Sequence, residues 1–206
     1  MTDWYPSAQK VLGVASKRRA GKNPVKGVVC HSAEGYAAGL RAELANTTRS
    51  VQWHASILKD GTVWQHHPFS VRLNHAADTY GNDNLVGIEH EGVAGEALTP
   101  AQLASSVALV WWLADRYGFK PSRTGVAKTL YEHREISDTG TACPSNRIPW
   151  GFYLEPPAGR KPPPAKLTDW GMFYKNGAEP HAISTEGLGA GYEDHLYVVR
   201  IRRNVR

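Results

Sequence analysis

Apolar residues in this chain are grouped into short runs that alternate with helical stripes. Continuous apolar runs over residues 25–32 and 84–91 predict two buried strands. Residues 53–67 predict a hairpin, because an Asp-Gly dipeptide, which favours tight turns, separates two strand-like segments. Leucines at helical spacing predict a short helix over residues 37–48, although a glycine within it weakens the pattern. Alternating strand and helix signals predict an α/β fold with a mixed central β-sheet flanked by helices.

The strongest helical pattern covers residues 100–117. Thr99 suits the N-cap, Pro100 suits the first helical position, and Gln102 is placed to complete a capping box. Gly118 is placed to end the helix. The apolar positions that share one face, and that we expect to pack in the core, are Leu103, Val107, Trp111 and Ala114.

Composition divides the chain into four segments. Residues 1–24 carry few periodic apolar positions and predict an extended N-terminal arm, whereas residues 25–154 hold the signals of the main domain. Residues 155–165 are rich in proline and predict an extended linker. Residues 166–206 are few for an independent domain, so a binding module, an oligomerisation strand and a docked tail all remain open.

The chain is modestly basic, with 24 Lys and Arg residues against 19 Asp and Glu residues and a formal charge of +5. Such a balance suits an anionic polymer such as a cell wall, suits nucleic acid equally, and also occurs on ordinary solvated surfaces. No apolar run is long enough to span a membrane, and the N-terminus lacks the basic start and apolar core of a signal peptide. We therefore expect no membrane insertion.

The chain has two cysteines, Cys30 and Cys143, and their number alone leaves a disulfide between them open. If residues 28–31 form a strand, alternation turns Cys30 away from the face that carries His31. Cys30 is then predicted to be a small buried hydrophobic residue.

Three side chains suit a metal ion: His31, His133 and Cys143. His31 ends a buried strand, and the other two lie in a loop over residues 131–145 that is rich in Gly, Ser, Thr and Asp. Two nitrogens and one sulfur leave the fourth tetrahedral position of Zn²⁺ open for water, which indicates hydrolysis rather than a structural zinc site. Spacing alone is weak support, because the first ligand is far from the others in sequence.

Segments spread over residues 25–150 resemble the zinc-dependent N-acetylmuramoyl-L-alanine amidases. This family includes phage lysozymes of the amidase type, bacterial recycling amidases and animal peptidoglycan recognition proteins. The order of the segments makes the resemblance far more specific than any single motif. They are Val-Cys-His-Ser-Ala (29–33), the hairpin 53–65, Asn-His-Ala (74–76), Val-Gly-Ile-Glu-His-Glu-Gly (86–92), Glu-His-Arg-Glu-Ile (132–136) and Ala-Cys-Pro-Ser (142–145).

The resemblance implies an amidase-like α/β domain with a small C-terminal extension, in which zinc is held by His31, His133 and Cys143. It implies hydrolysis of the amide bond between N-acetylmuramic acid and L-alanine, with peptidoglycan and not nucleic acid as the partner. Residues 166–206 are then a candidate wall-binding or docking element. A wall hydrolase without a leader would accumulate in the cytoplasm, which fits a phage or prophage endolysin released by a separate protein.

Two other functions use the same residues. Some recognition proteins that resemble this chain bind peptidoglycan without cleaving it, and these usually lack the cysteine ligand, so Cys143 favours the enzyme. Alternatively, Cys143 acts as a nucleophile with His133 as its base. Pro144 counts against this second alternative, because proline has no backbone N–H for an oxyanion.

Amide hydrolysis also needs a group that passes a proton to the departing amine. In a regular strand Glu89 and Glu91 share one face, and the resemblance assigns this role to Glu89, with Glu91 as the fallback. Other family members place a tyrosine where this chain has Trp53, whose indole does not ionise, and this strengthens the assignment to Glu89. Many relatives have a lysine at the position of Thr141, which brings only a neutral hydrogen-bond donor.

Two further histidines are implied by the resemblance. His75, in the His-Ala motif, is expected to line the substrate groove. His54 follows Trp53 at a position near the metal where relatives often have histidine, and it is expected either to support the site or to pack in the core.

Overall fold

The computed structural model describes residues 3–157. Most of the predicted linker 155–165 and all of the predicted segment 166–206 lie outside the described residues. The strands are β1 (Gln9–Lys10), β2 (Arg19–Lys22), β3 (Gly27–Ser32), β4 (Ala55–Ile57), β5 (Val63–Gln65), β6 (Val71–Arg72), β7 (Leu85–His90) and β8 (Leu130–Glu132). The α-helices are α1 (Ala37–Ala45), α2 (Thr79–Asn84), α3 (Pro100–Tyr117), α4 (His133–Ile136) and α5 (Gly151–Leu154), and a single 3₁₀ turn covers Ala15–Lys17.

Six strands form a mixed sheet in the order β1-β5-β4-β7-β3-β8, and β2 pairs with β6 in a small second sheet. The central strands β4, β7, β3 and β8 run parallel, and β4 and β5 form the antiparallel hairpin. The predicted α/β fold with a mixed central sheet is confirmed.

The two faces of β3 have different neighbours because side chains alternate along a strand. Val28 and Cys30 join the main apolar cluster, whereas Val29 joins a smaller cluster on the opposite face, the face of His31. Cys30 is fully buried, as predicted, and neither cysteine forms a disulfide within residues 3–157. The predicted stripe of α3 packs on the same cluster as Cys30, through Val107, Trp111, Ala114 and the half-buried Leu103.

Helix α3 has the predicted bounds but not the predicted capping box. Thr99 Oγ1 accepts a hydrogen bond from the Gln102 N–H at 3.0 Å, and Gly118 ends the helix in the left-handed conformation. The Gln102 side chain does not return to the N-cap. It donates instead to the backbone oxygens of Ile57 (2.8 Å) and Glu91 (3.0 Å), since both strand ends leave a carbonyl facing the helix. Gln102 therefore ties α3 to the sheet.

The predicted hairpin and short helix are also present. The β4–β5 turn contains Gly61 at φ +87°, where an added Cβ would lie 2.9 Å from the Ala101 oxygen, so the turn requires glycine. Helix α1 stops at Ala45, three residues before the predicted end, and buries Leu40 and Leu44.

The described N-terminal residues contain two short strands and the 3₁₀ turn, and they pack against the domain. Strand β1 pairs parallel with β5, and β2 pairs antiparallel with β6. These pairings use backbone groups, so they need no apolar periodicity. Among the described residues, no helix is long and apolar enough to cross a membrane.

Candidate metal centre

The register of three parallel strands sets the candidate site. His31 of β3 lies opposite Glu89 of β7, and Cys30 lies opposite Glu132, the last residue of β8. His133 follows Glu132 directly, so it emerges beside His31. The carboxyl ends of the strands thus bring His133, His31 and Glu89 into one row across the sheet.

Cys143 completes a cluster of three metal-binding side chains. The donor atoms of His31, His133 and Cys143 all lie within 4.8 Å of one another. Cys143 Sγ is 3.9 Å from His31 Nδ1, and the Ser32 N–H donates to this sulfur at 3.2 Å. The structure therefore brings together the three residues that the sequence nominated as ligands.

Two buried atoms at this cluster are unpaired. Among the described residues, neither His133 Nε2 nor Glu89 Oε2 has a hydrogen-bond partner. A hydrogen bond with the Ala76 backbone partly opposes the effect of burial on the pKa of His133. A buried polar atom without a hydrogen-bond partner destabilises a folded protein unless the atom binds a ligand. Two imidazoles and a thiol are a donor set that zinc prefers, and His133 Nε2 has a lone pair available for the ion.

Electrostatics at the cluster also suit a cation. Burial lowers the pKa of His31 well below its ordinary value and lowers that of His133, so both rings are neutral and able to coordinate. Burial, with the nearby Glu89, raises the pKa of the Cys143 thiol to about 12. A cysteine nucleophile needs a lowered pKa, so this environment does not favour Cys143 as the attacking group. A bound divalent cation would instead deprotonate the thiol.

Glu89 is the carboxyl group beside the donors. Its Oε1 lies 4.0 Å from His31 Nδ1. Burial raises the pKa of Glu89 to about 8, opposed by the positive charge of Arg147. A carboxyl group that titrates near neutrality is suited to accept and return a proton.

The family model for N-acetylmuramoyl-L-alanine amidases matches residues 21–146. The chain belongs to this amidase family. The match covers more than half of the chain and contains all three donor residues and Glu89, so the cluster lies within the matched range. A search of curated proteins gave no match.

Several solved structures share the fold of this amidase. The structure of PlyL is 18% identical in sequence, with a TM-score of 0.57, and covers 71% of this chain and 94% of its own. The selenomethionine derivative of AmpD is 22% identical, with a TM-score of 0.57, and covers 74% and 96%. The N-acetylmuramoyl-L-alanine amidase LysC from Clostridium intestinale is 20% identical, with a TM-score of 0.53, and covers 72% and 95%. At these identities the likeness establishes the fold.

Glu91 lies outside the cluster of this amidase. Strand β7 ends at His90, so strand alternation no longer places Glu91 on the face of Glu89. Its two carboxylate oxygens accept the backbone N–H groups of Ala37 (2.8 Å) and Lys59 (2.7 Å). Glu91 therefore anchors the start of α1 and the hairpin turn, which leaves Glu89 as the carboxyl group of the site.

Trp53 and His54 are held in the interior. The Trp53 indole packs in the cluster beneath α1 and donates to Ser56 Oγ at 2.7 Å. His54 Nδ1 accepts the Gly87 N–H at 3.0 Å and its Nε2 donates to the Val71 oxygen at 2.8 Å. Both nitrogens of His54 are thus used in packing the sheet, the second of the two roles expected for it.

His75 and Thr141 lie next to the donors in different ways. His75 is only 5% exposed, and its Nδ1 is 3.4 Å from His31 Nε2, so it lies behind a ligand and not in an open groove. Thr141 is exposed, and its Oγ1 accepts the Cys143 N–H at 3.1 Å. Its hydroxyl hydrogen remains able to donate to a substrate.

Arg147, which the sequence did not indicate as a site residue, forms hydrogen bonds with the strand ends beneath the site. The buried guanidinium donates to Ser32 Oγ (2.8 Å) and to the backbone oxygens of His90 (3.0 Å) and Glu91 (2.7 Å). A single arginine after the last ligand segment carries no periodicity or motif that would have revealed this position.

Proposed function

We propose that this protein is a zinc-dependent amidase that hydrolyses the bond between N-acetylmuramic acid and L-alanine in peptidoglycan. The observation that carries the proposal is the convergence of donor atoms from two imidazoles and a thiol, with His133 Nε2 unpaired among the described residues, beside the carboxyl group of Glu89. Membership of the amidase family supports action on peptidoglycan. His31, His133 and Cys143 are the proposed ligands.

The chemistry divides between the ion and the residues around it. Zinc bound by these residues would supply a Lewis acid for the scissile carbonyl and a lowered pKa for the attacking water. Glu89 accepts the proton that this water loses and delivers it to the nitrogen of L-alanine as the C–N bond breaks. Its position beside the candidate ligands, with Oε2 unpaired among the described residues, suits both halves of this transfer.

Thr141 is the proposed donor to the oxygen of the scissile carbonyl. Because its Oγ1 already accepts the Cys143 N–H, its orientation is fixed close to the metal ligand. A hydroxyl group donates one neutral hydrogen bond, so the negative charge that develops on the carbonyl oxygen depends mainly on the metal for stabilisation.

Digestion of purified peptidoglycan by the zinc-loaded protein, followed by mass analysis, tests the proposed reaction. We expect released peptides that begin with a free L-alanine amine, and we expect a chelator to abolish their release. Binding to the wall without cleavage would indicate a peptidoglycan-binding module instead. Cleavage that survives complete removal of the metal would indicate a cysteine hydrolase.

We also propose that the protein acts as a bacteriolytic phage or prophage endolysin. Structures of the same fold include an endolysin from Clostridium intestinale and a mutant endolysin from Bacillus subtilis. An endolysin degrades the polymeric wall, so we expect faster turnover of intact wall than of soluble muropeptides. The opposite preference would indicate a recycling amidase.

A further inference from the structure

We propose that His75 is a positioning residue that holds His31 in the orientation and tautomer in which Nδ1 binds the metal. We propose further that Asn82 fixes the segment that carries His75. This inference rests on the zinc site proposed above and concerns residues that do not themselves touch the metal.

The contacts of the His75 ring determine which of its nitrogens carries the proton. His75 Nε2 lies 3.2 Å from the Leu85 carbonyl oxygen, which can only accept, so Nε2 is the protonated nitrogen. In a neutral imidazole whose Nε2 is protonated, Nδ1 keeps its lone pair. His75 Nδ1 is then an acceptor, and it faces His31 Nε2 at 3.4 Å.

The same contact determines the state of His31. With His75 Nδ1 as the acceptor, His31 Nε2 carries the proton and His31 Nδ1 keeps its lone pair. His31 Nδ1 is the ring atom that faces Cys143 Sγ (3.9 Å) and Glu89 Oε1 (4.0 Å). Metal-binding histidines generally donate their other ring N–H to an acceptor that fixes the tautomer. Here that acceptor is a second buried imidazole.

Strand β7 makes the space that His75 occupies. Gly87 lies opposite Val29, one step along the same sheet face from Glu89 and His31. A Cβ added to Gly87 would lie 2.7 Å from both Cγ and Nδ1 of the His75 ring. The absent side chain therefore allows the ring to pack against the strand behind His31.

Asn82 holds the backbone of His75 and Ala76 together. Its Oδ1 accepts both of their N–H groups, each at 2.8 Å. The Ala76 backbone in turn bonds the His133 ring. One short segment therefore supports both imidazole ligands, through the side chain of His75 and the carbonyl of Ala76, and Asn82 fixes this segment from α2.

Zinc affinity of the full-length protein, measured by competition with a chromophoric chelator, tests the role of His75. His75→Phe keeps much of the ring volume but removes the acceptor, and we expect a loss of about 10- to 100-fold in affinity, as for other residues that support a metal ligand. His75→Asn provides an amide oxygen near the position of Nδ1 and should recover part of the loss. Circular dichroism confirms that each variant is folded.

His66→Phe is the matched control. His66 is as fully buried as His75, and its ring nitrogens bond the Val11 carbonyl (2.6 Å) and the Ser56 hydroxyl (2.8 Å). Its replacement should lower stability but leave zinc affinity unchanged. Equal zinc affinity of wild type and folded His75→Phe would overturn the proposal, as would an equal loss in His66→Phe.

The Asn82 variants give an independent test if His75→Phe does not fold. Asn82→Asp keeps the accepting oxygen and should retain zinc affinity, whereas Asn82→Ala should reduce it. Wild-type affinity in Asn82→Ala would contradict the positioning role of the segment. A wild-type protein that binds no zinc in the same assay would instead overturn the proposed function, so the two failures are distinguishable.

Discussion

The carboxyl groups of Glu89 and Glu91 are two residues apart and have opposite surroundings. Glu89 Oε2 is buried without a partner among residues 3–157, and burial raises the pKa of this group to about 8. Glu91 accepts two backbone N–H groups, which satisfy both of its oxygens. Only Glu89 is therefore placed to exchange a proton with a substrate.

Glu89→Gln should abolish most turnover while zinc remains bound. The amide has the same shape but cannot transfer a proton, so we expect a loss on the order of 10²- to 10⁴-fold in the rate of peptide release. Glu91→Gln is the matched control and should lower stability with little change in turnover per folded molecule. Near wild-type turnover in Glu89→Gln would assign the proton transfer to another group.

At the level of single residues, the structure brings together the three candidate donors and the carboxyl group that the sequence indicated, but their surroundings could not be predicted. The donors lie in segments whose order is specific. The interior positions of Trp53, His54 and His75 depend on partners from other strands, such as the Val71 and Leu85 carbonyls. Such partners are chosen by tertiary packing and leave no local signal.

At the scale of elements, β7 does most to shape the site. It presents Glu89 beside His31, and two residues earlier it presents a glycine beneath the ring of His75. A side chain at position 87 would compete with His75 for the same space. The spacing Gly-x-Glu along this strand thus links the position of the proposed catalytic carboxyl group to the support of His31, a proposed ligand.

Gly87→Ala should therefore damage both stability and metal binding. The added Cβ would push the His75 ring from the sheet, and overpacking of this kind costs roughly 1–3 kcal/mol in the free energy of unfolding. Zinc affinity should fall in the same variant. Urea unfolding and chelator competition measure the two effects.

Gly39→Ala is the control for this glycine substitution. Gly39 lies within α1, and apart from its chain neighbours and the backbone of its own helix, no atom of the described residues lies within 4 Å of a Cβ built there. Alanine in a helix is favoured over glycine by about 1 kcal/mol, so this variant should be slightly more stable with unchanged zinc affinity. Equal behaviour of the two variants would contradict the packing of His75 against Gly87.

Elements with local signals were predicted closely, and elements held by distant partners were not. Helix α3 carries its own cap and stop residues, and the hairpin carries its turn glycine. The pairing of β1 and β2 was not predicted, since edge strands bond through their backbone and show little apolar pattern. The Gln102 side chain does not form the expected capping box, because it donates instead to two backbone carbonyl oxygens at the ends of sheet strands.

For the molecule as a whole, buried neutral histidines make the stability of the fold depend on pH. Burial lowers the pKa of His54, His66 and His90 to about 4 in each case. Histidine in an unfolded chain titrates at about 6.5. Between these values the unfolded chain binds more protons than the folded one, so the free energy of unfolding falls as the pH decreases from about 6.5 to about 4.

Glu89 acts in the opposite direction. The pKa of Glu89 is about 8 in the folded, metal-free protein, whereas a glutamate in an unfolded chain has a pKa of about 4.3. Between these pH values the folded protein binds more protons than the unfolded chain, so this group lowers the free energy of unfolding as the pH rises. The buried histidines outnumber this one carboxyl group, so we expect the stability of the zinc-free protein to fall as the pH decreases below about 6.5.

Urea unfolding of the zinc-free protein from pH 7 to pH 4 measures this dependence. The midpoint should fall as the solution becomes more acidic, and the fall should be shallower in His66→Gln, which has one titrating group fewer. A midpoint that stays constant over this range would contradict the neutral state assigned to the buried histidines.

The proposed function requires one zinc ion held by His31, His133 and Cys143. Metal analysis of wild type, Cys143→Ser and Cys30→Ala, each purified in the presence of zinc, tests this site. We expect one zinc per chain in wild type and in Cys30→Ala, whose substituted cysteine lies on the opposite sheet face, and a large loss in Cys143→Ser. Full zinc content in Cys143→Ser, or none in wild type, would contradict the proposed site.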